Sequence, residues 1–345
     1  MNNVGLFLLI GLAAFSITGI LRRYAIAKSV MDIPNHRSSH TKPTPRGGGL
    51  GIVLAFGCAL ALLKSAQLID SSVAALMGAT LLVAGIGFCD DHTHVPARWR
   101  FLTHSVAALL ILIVMGGFPL VLLASPLDGI LRRGLIDLSW PGYLFGTLWL
   151  VWFLNLFNFM DGTDGIAASE SLFMSMTLAG YAYYLDGSLF YICLSLSAAS
   201  LGFLFWNWPK AKIFMGDVGS GFLGLWIGVL ILMAAQQAAV LLYCGLILFG
   251  IFLVDATYTL GVRFMSGQKW YDAHCSHAYQ RAAKQHGHLR VLLACWLINL
   301  GWLLPVSFWV FVHPSHGLAG VAVAYLPLVC VAHRFKAGQT DWAHS

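Results

Sequence analysis

The sequence predicts an all-α integral membrane protein with about eleven transmembrane helices. Of its 345 residues, 59% are hydrophobic and only 10% are charged, whereas charged residues make up about 25% of soluble domains. A helix that crosses the hydrocarbon core of a bilayer needs about 20 consecutive apolar residues, and runs of this kind recur along the whole chain. We place them at approximately 3–21, 48–66, 73–89, 101–124, 142–160, 165–185, 188–206, 219–236, 238–258, 291–312 and 316–334.

The basic residues predict the direction in which the chain crosses the membrane. With the N-terminus on the outer side, 17 of the 20 Lys and Arg residues fall in inner loops or in the C-terminal tail, and only Lys64, Arg132 and Arg133 lie outside. Since short cytoplasmic loops are enriched in Lys and Arg, we predict an outer N-terminus and a cytoplasmic C-terminus. The net charge of +6 follows mostly from this asymmetry and does not indicate a nucleic-acid partner.

No stretch has the composition of a separate soluble domain, so residues 1–345 are interpreted as a single polytopic membrane domain. The predicted loop on the outer side is 125–141. The predicted cytoplasmic loops are 22–47, 90–100, 161–164, 207–218 and 259–290. The seven cysteines lie mostly inside predicted spans, which favours buried thiols over disulfides or a zinc site.

The acidic motifs are concentrated at one membrane face. Asp90 and Asp91 follow the third predicted span, Asp161 and Asp164 follow the fifth, and Asp217 follows the seventh. All three spans run from outside to inside, so the carboxylates gather on the cytoplasmic side. Ionisable residues within or next to membrane spans are costly and usually functional. We therefore predict an active site on the cytoplasmic face.

Each aspartate motif also has a purely structural interpretation. In NFMDGTDG, Asp161 and Asp164 lie three residues apart and point to the same side of a helical turn, with the Asn158 amide one turn before, but the pattern also suits a helix C-cap. In KIFMGDVGSG, Asp217 precedes a glycine-rich helix start whose N–H groups suit phosphate. This aspartate is either a Mg²⁺ ligand or simply an N-cap. The pair at 90–91 is either a metal-binding or proton-abstracting pair or a solvated interfacial loop.

Basic and histidine-rich loops lie on the same side as the acids. Arg98 and Arg100 follow the aspartate pair closely enough to hold a phosphate group. His274 and His277 lie three residues apart, but no third ligand at zinc-site spacing accompanies them. A polyanionic substrate suits this loop better, and an amphipathic helix on the membrane surface is the alternative. Together with carboxylates for a divalent cation, these loops indicate phosphoryl transfer between a soluble pyrophosphate compound and a membrane lipid.

Five segments in order resemble the polyprenyl-phosphate N-acetylhexosamine-1-phosphate transferase family, glycosyltransferase family 4. They are DIPNHRSSHTKPTPRGGG, DD at 90–91, NLFNFMDGTDG, FMGDVGSG and HCSHAYQR. The resemblance runs from about residue 31 to residue 281. The HAYQR ending and the short external loop are similar to the bacterial branch that starts O-antigen or related polysaccharide synthesis, which includes undecaprenyl-phosphate GlcNAc-1-phosphate and FucNAc-1-phosphate transferases.

The resemblance implies a reaction and a location. The family transfers an N-acetylhexosamine 1-phosphate from a UDP-N-acetyl sugar to polyprenyl phosphate, here undecaprenyl phosphate, and releases UMP. It implies Mg²⁺, or Mn²⁺ in its place, as the cofactor. It also implies a bacterial inner-membrane protein with a periplasmic N-terminus, and a homodimer as the assembly to test.

The resemblance also implies residue roles. Asp217 is the expected metal ligand, and Asp90, Asp91, Asp161 and Asp164 are the expected catalytic residues. The expected substrate-binding residues are Asn158, Phe214, His274, His277, Lys42, Arg46 and Arg98, with Phe214 at the position that stacks on uracil. Where peptidoglycan enzymes of the family have a lysine after the aspartate pair, this chain has His92, His94 and Arg98.

Two other functions fit a polytopic membrane chain: a transporter of a charged solute and a lipid phosphatase. A transporter usually places its ionisable groups near the bilayer midplane, often in repeated halves, and we find no repeat. A lipid phosphatase would use water in place of the lipid nucleophile, so UMP release that depends on added lipid separates it from the transferase.

Overall fold

The computed structural model describes residues 2–34, 42–93, 95–131, 134–185, 187–268 and 274–339. Parts of the predicted loops 22–47, 125–141 and 259–290, together with His94, lie outside these ranges. Each of the eleven predicted spans contains at least one helix. The α-helices are α1 (Asn3–Ala27), α2 (Leu50–Ser65), α3 (Ser72–His92), α4 (Ala97–Met115), α5 (Leu127–Leu131), α6 (Pro141–Met160), α7 (Ile166–Ala182), α8 (Gly187–Asn207), α9 (Asp217–Gln237), α10 (Leu241–Leu248), α11 (Gly250–Met265), α12 (Ala278–His286), α13 (His288–Ile298), α14 (Leu304–Val312) and α15 (Gly317–Arg334).

Two short antiparallel ribbons join helices at the two ends of the bundle. β1 (Met31–Asp32) pairs with β2 (Thr44–Pro45), between α1 and α2. β3 (Val121–Leu122) pairs with β4 (Leu135–Ile136), between α4 and α6.

The helices confirm a multi-pass membrane protein. In the described part of the chain, eight helices, or nine if the bent pair α10–α11 forms one span, are long and apolar enough to cross a bilayer. The two members of that pair meet at 69°. α2 and α7 are shorter, with 16 and 17 residues. The count of eleven spans, the direction of the N-terminus and the single-domain organisation stay predictions.

Glycine and proline explain two departures from the predicted spans. The span predicted at 101–124 is helical from Ala97 to Met115, and it ends at Gly116 and Gly117, whose φ angles are +79° and +112°. Glycine adopts such angles without steric cost. Between α13 and α14 the chain forms a π-helical turn, Asn299–Leu303. The turn precedes Pro305, which has no N–H with which to continue α-helical bonding.

α9 lies at the centre of the bundle. In its apolar window 94% of the residues are buried, compared with 22% for α1 and α4 on the outside. Other helices approach it at glycines: a Cβ on Gly49 would lie 2.4 Å from the Cα of Gly219, and one on Gly224 would lie 2.5 Å from the Cβ of Phe157. Small residues at helix contacts are usual in membrane proteins. This packing brings the start of α2 and the ends of α3 and α6 against the start of α9, where the acidic motifs lie.

Candidate active site

Five aspartates meet where α3 and α6 end and α9 begins. Asp90 and Asp91 lie in the last turn of α3, Asp161 and Asp164 follow α6, and Asp217 is the first residue of α9. A cavity of about 230 Å³, which we call the carboxylate cavity, is lined by Asn158 and by all of these aspartates except Asp90. The structure therefore brings the predicted carboxylates together at one end of the bundle.

Arg100 bridges the acids of two helices. Its Nη1 lies 2.8 Å from Oδ2 of Asp90 and 3.0 Å from Oδ2 of Asp217. The backbone N–H of Val95 donates to the other oxygen of Asp90, at 2.7 Å, and the Asn158 side chain interacts with Asp217. Two carboxylates from different helices thus converge on one cationic group, which offsets their repulsion.

Asp91 has a different role from its neighbour in the sequence. Its side chain is only 3% exposed, and its two oxygens accept hydrogen bonds from the backbone N–H groups of Asp217 and Val218, at 3.1 and 3.2 Å. Arg46 donates to the backbone carbonyls of Asp90 and Asp91. The Asp91 side chain therefore caps the N-terminus of α9.

This arrangement corrects one expectation. The first N–H groups of α9 were expected to be available to phosphate oxygens, but the first two of them are bonded to Asp91. Gly216 is required beside them, since it has a φ of +76° and a Cβ there would lie 2.5 Å from an oxygen of Asp91. Asp91 is therefore a buried residue of the cavity lining whose carboxylate also holds the start of α9.

Asp161 and Asp164 face different partners. Burial raises the pKa of Asp161 well above its usual range, and the nearby charges of Asp217, Asp91 and Asp164 raise it further. Asp164 is buried, and its Oδ2 lies 3.2 Å from Nδ1 of His288 and accepts from the N–H of Ala211 at 3.1 Å. Asp161 thus holds a proton more readily than an ordinary aspartate does, whereas Asp164 ties the loop after α6 to the start of α13.

A second opening, of about 740 Å³, adjoins the carboxylate cavity, and we call it the basic vestibule. Its cationic and histidine lining is Lys42, Lys210, His286, His288 and Arg290. Phe214 and Asp164 line both the vestibule and the carboxylate cavity. The N–H of Phe214 donates to the carbonyl of Pro45 at 2.8 Å, and its carbonyl accepts from Gly48 at 2.9 Å. These bonds hold the segment after Lys42 against the segment before α9.

A third opening, of about 720 Å³, runs along α3, α4 and α6, and we call it the apolar groove. Its walls are largely aromatic and aliphatic, with Phe101, Phe145 and Trp152 among them. Arg100 lines this groove, and Asn158 and Asp217 line both the groove and the carboxylate cavity. The groove therefore ends at the acids and at the one arginine that bridges them.

The two predicted histidines lie beside the cavity rather than in its lining. His277 is 1% exposed, and its Nδ1 lies 3.3 Å from Oδ1 of Asp255. Burial, together with the charges of His277 and Arg263, lowers the pKa of His274 to about 3. The residue of this loop that does line the carboxylate cavity is Gln280. His277 is the N-cap residue of α12, and its ring is directed at Asp255 in α11 rather than at the cavity.

Arg98, predicted to bind substrate, points away from the acids in the structure. It is exposed, and its guanidinium lies over the ring of Trp99, 5.8 Å from the centroid. Arg98 and Arg100 are both in the first turn of α4, where residues two apart lie about 200° apart around the axis. Arg100 therefore faces the acids, whereas Arg98 does not.

Other site residues carried little signal in the sequence. Asp32 and Asn207 line the carboxylate cavity with Gln280. The Asn207 side chain accepts from the N–H of Gly165 at 2.9 Å and donates to the carbonyl of Ile213 at 3.0 Å, which holds two site loops together. An amide at the end of an apolar run, in FLFWNWPK, is the signal that could have indicated Asn207.

The acids suit a hard divalent cation that also binds substrate. Mg²⁺ is usually held by one or two carboxylates together with substrate phosphates. Asp90 and Asp217 are two carboxylates close enough together for this, since an oxygen of each contacts the same nitrogen of Arg100. Among the residues that the structure describes, no three His, Cys, Asp or Glu side chains could hold a metal ion by themselves. The donor set therefore fits a cation shared with a phosphate ligand better than a closed structural site.

Comparison with known proteins gives consistent matches over most of the chain. Residues 73–235 match the family model described as Glycosyl transferase family 4. The chain is 32% identical over 301 residues to the probable undecaprenyl-phosphate N-acetylglucosaminyl 1-phosphate transferase of Bacillus subtilis, covering 86% of this chain and 81% of that protein. It is 31% identical over 336 residues to the decaprenyl-phosphate N-acetylglucosaminephosphotransferase of Mycolicibacterium smegmatis, covering 87% and 80%. It is also 33% identical over 243 residues to the phospho-N-acetylmuramoyl-pentapeptide-transferase of Rhodopseudomonas palustris, covering 62% and 65%.

Proposed function

The chain belongs to glycosyl transferase family 4, and we propose that it transfers an N-acetylhexosamine 1-phosphate from a UDP-sugar to polyprenyl phosphate, releasing UMP. One observation carries this proposal. The carboxylate cavity lies between two openings of opposite character and shares Asn158 and Asp217 with the apolar groove, and Asp164 and Phe214 with the basic vestibule. A lipid and a soluble polyanion could therefore meet at the same acids.

The apolar groove is our proposed site for the acceptor lipid. A polyprenyl chain suits its aromatic and aliphatic walls, and Arg100 at its inner end is placed to bind the lipid phosphate. A guanidinium can bind two phosphate oxygens at once. When the acids bind a cation, Arg100 can turn from Asp90 and Asp217 to this phosphate without leaving the site.

The basic vestibule is our proposed site for the nucleotide end of the donor. Lys42, Lys210 and Arg290 carry charge opposite to that of a diphosphate, and the Phe214 ring at the boundary suits a uracil base. The donor's β-phosphorus would then lie at the carboxylate cavity, next to the acceptor phosphate.

The proposed reaction is a single displacement. An oxygen of the acceptor phosphate attacks the β-phosphorus, and the bond from that phosphorus to the bridging oxygen breaks, so that the electron pair leaves with UMP. If the acceptor is a monoanion, we propose that Asp161, in its ionised form, takes the acceptor's proton and becomes a neutral carboxylic acid. Asp217 and Asp90 would hold Mg²⁺, or Mn²⁺, which when bound would offset negative charge on the pyrophosphate. Asp91 and Arg46 keep the start of α9 in place.

The finer identity of the substrates is also part of the proposal. Two relatives are named for N-acetylglucosaminyl phosphate transfer to undecaprenyl or decaprenyl phosphate, which makes UDP-GlcNAc and undecaprenyl phosphate the first substrates to test. We further propose a location in the bacterial inner membrane, with the site facing the cytoplasm, and a role in starting O-antigen or a related polysaccharide.

The test is UMP release by the purified protein in detergent, with undecaprenyl phosphate, Mg²⁺ and a panel of UDP-N-acetyl sugars. We expect release to require both the lipid and the metal and to be lost in Asp217→Asn. Release without lipid would mean that water attacks the UDP-sugar in place of the lipid phosphate, and the protein would then be a hydrolase. If a folded protein releases no UMP from any donor, transport of a charged solute becomes the function to test.

A further inference from the structure

The segment that follows α15 is bonded to the histidine loop. Arg281 of α12 is 3% exposed. Its guanidinium donates to the backbone carbonyls of Phe335, at 3.3 Å, and Gln339. The N–H of Gly338 donates to the carbonyl of Ser276 at 2.9 Å. We call Arg281 and residues 335–339 together the C-terminal latch.

The latch is packed as well as hydrogen-bonded. Ala337 is fully buried, in a small apolar cluster with Ala278 and Ala332. Gly338 has a φ of +79°, and a Cβ there would lie 2.7 Å from the carbonyl oxygen of Thr259 in α11. Its carbonyl accepts from the side chain of Gln268 at 3.1 Å. Residues 335–339 therefore pack against both α11 and α12.

α12 connects the latch with the site. Next to Arg281 in the sequence, Gln280 lines the carboxylate cavity. The Tyr279 hydroxyl donates to the carbonyl of Phe159 at 2.8 Å and packs against Gly162, where a Cβ would lie 2.2 Å from it. His286, the last residue of the helix, lines the basic vestibule. Any shift of α12 would therefore move groups in both the cavity and the vestibule.

α12 needs such anchors because it is short. It has nine residues, and isolated helices below about 12–15 residues are marginal in water. Asp255 anchors its first turn, accepting from the N–H groups of Ala278 and Tyr279 at 3.0 and 2.9 Å. The latch supplies the second anchor, one that comes from the end of the chain.

We propose that Arg281 is a positioning residue, and that the C-terminal latch sets the position of α12 and thereby the affinity for the donor substrate. The proposal rests on the function proposed above. Among the residues that the structure describes, none from α12 or from 335–339 lines the apolar groove, so the latch should act on the donor and leave the lipid acceptor unaffected.

The experiment compares two C-terminal deletions of the full-length protein. Deleting residues 336–345 removes the carbonyls of Gly338 and Gln339, whereas deleting residues 341–345 leaves every latch group in place. Since a hydrogen bond to a charged group is worth enough to change an equilibrium constant about tenfold, we expect the longer deletion to raise the KM for the UDP-sugar about tenfold. The KM for the lipid should stay unchanged. The shorter deletion should behave like the parent.

A second variant and a second measurement keep the outcome decisive. Arg281→Lys keeps the charge but loses the planar fork that reaches two carbonyls, so it should raise the same KM if the longer deletion does not fold. Hydrogen exchange at the amides of 278–286 should become faster in both variants, and this readout needs no transferase activity. Unchanged hydrogen exchange together with an unchanged KM for the UDP-sugar would refute the proposed role of the latch in positioning α12. Faster exchange in a protein that shows no transferase activity with any donor would support it while refuting the proposed function.

Discussion

Replacing Arg100 by alanine should damage the rate far more than the fold. The Arg100 side chain is 32% exposed, so water screens its contacts with Asp90 and Asp217, and their net contribution to the free energy of unfolding should be about 1 kcal/mol or less. A preorganised group that stabilises charge in a transition state is typically worth about 10²–10³ in rate, or about 2.7–4 kcal/mol. The two magnitudes are far enough apart to be distinguished in one protein.

The assay is the initial rate of UMP release at varied lipid concentration, with the melting temperature measured on the same samples. For Arg100→Ala we expect kcat/KM for the lipid to fall about 10²-fold or more with a small change in melting temperature. Arg100→Lys should recover part of the rate, because it restores charge without the planar fork. The matched control is Arg98→Ala, two residues away on the opposite side of α4, which should leave both quantities unchanged.

The reasoning is refuted if Arg100→Ala retains the parent's kcat/KM for the lipid. It is also refuted if Arg98→Ala loses as much activity as Arg100→Ala, since the bridge between the acids would then not be the cause.

Three further changes test the structure around the site. Asp91→Asn should lower the free energy of unfolding by about 0.5–2 kcal/mol because it weakens the cap of α9. Asp90→Asn should lower activity with little effect on the melting temperature. Equal melting temperatures for these two variants would contradict the capping role of Asp91. Glu170 accepts a hydrogen bond from Asn299 at 2.8 Å inside the bundle. Glu170→Gln should be tolerated, because its amide oxygen can accept from Nδ2 of Asn299 and its amide nitrogen can donate to Oδ1 of Asn299. Glu170→Ala should destabilise the fold by about 1–3 kcal/mol, measured through the melting temperature, and a Gln variant as unstable as the Ala variant would argue against the pair. Because the pKa of His274 is lowered to about 3, the unfolded chain binds a proton below about pH 6.5 that the folded chain does not. The free energy of unfolding should therefore fall as the pH drops. His274→Gln should make the melting temperature depend less on pH in the acid range, and an unchanged dependence would contradict this reasoning.

The positions of the helices and the gathering of the acids could be predicted because both follow from local composition. Each predicted span contains a helix, and Asp161 and Asp217 lie at helix ends as expected. The end of α4 at Gly116 could not be placed, since an apolar run continues past it and only the backbone conformation stops the helix.

The roles of individual side chains depend on contacts between distant parts of the chain. The sequence predicts the same catalytic role for Asp90 and Asp91, and it could not show that the start of α9, 126 residues later, donates a backbone N–H to each carboxylate oxygen of Asp91. Arg98 and Arg100 lie on opposite sides of α4. Which of them faces the acids depends on how α4 is rotated in the bundle, and the sequence does not show that rotation. Asp255 lies within a predicted span, and only the fold shows that it caps α12.

The central claim is that a phosphorylated sugar moves to the lipid as one unit. The most direct test uses a UDP-sugar radiolabelled at its β-phosphorus, incubated with the protein, Mg²⁺ and undecaprenyl phosphate, and followed by extraction into organic solvent. We predict that the label moves into the organic phase with the lipid and that unlabelled UMP stays in water. Label that remains in water as UDP would mean that the sugar is transferred without its phosphate, and label found as free sugar phosphate would mean hydrolysis; either result would contradict the proposed reaction.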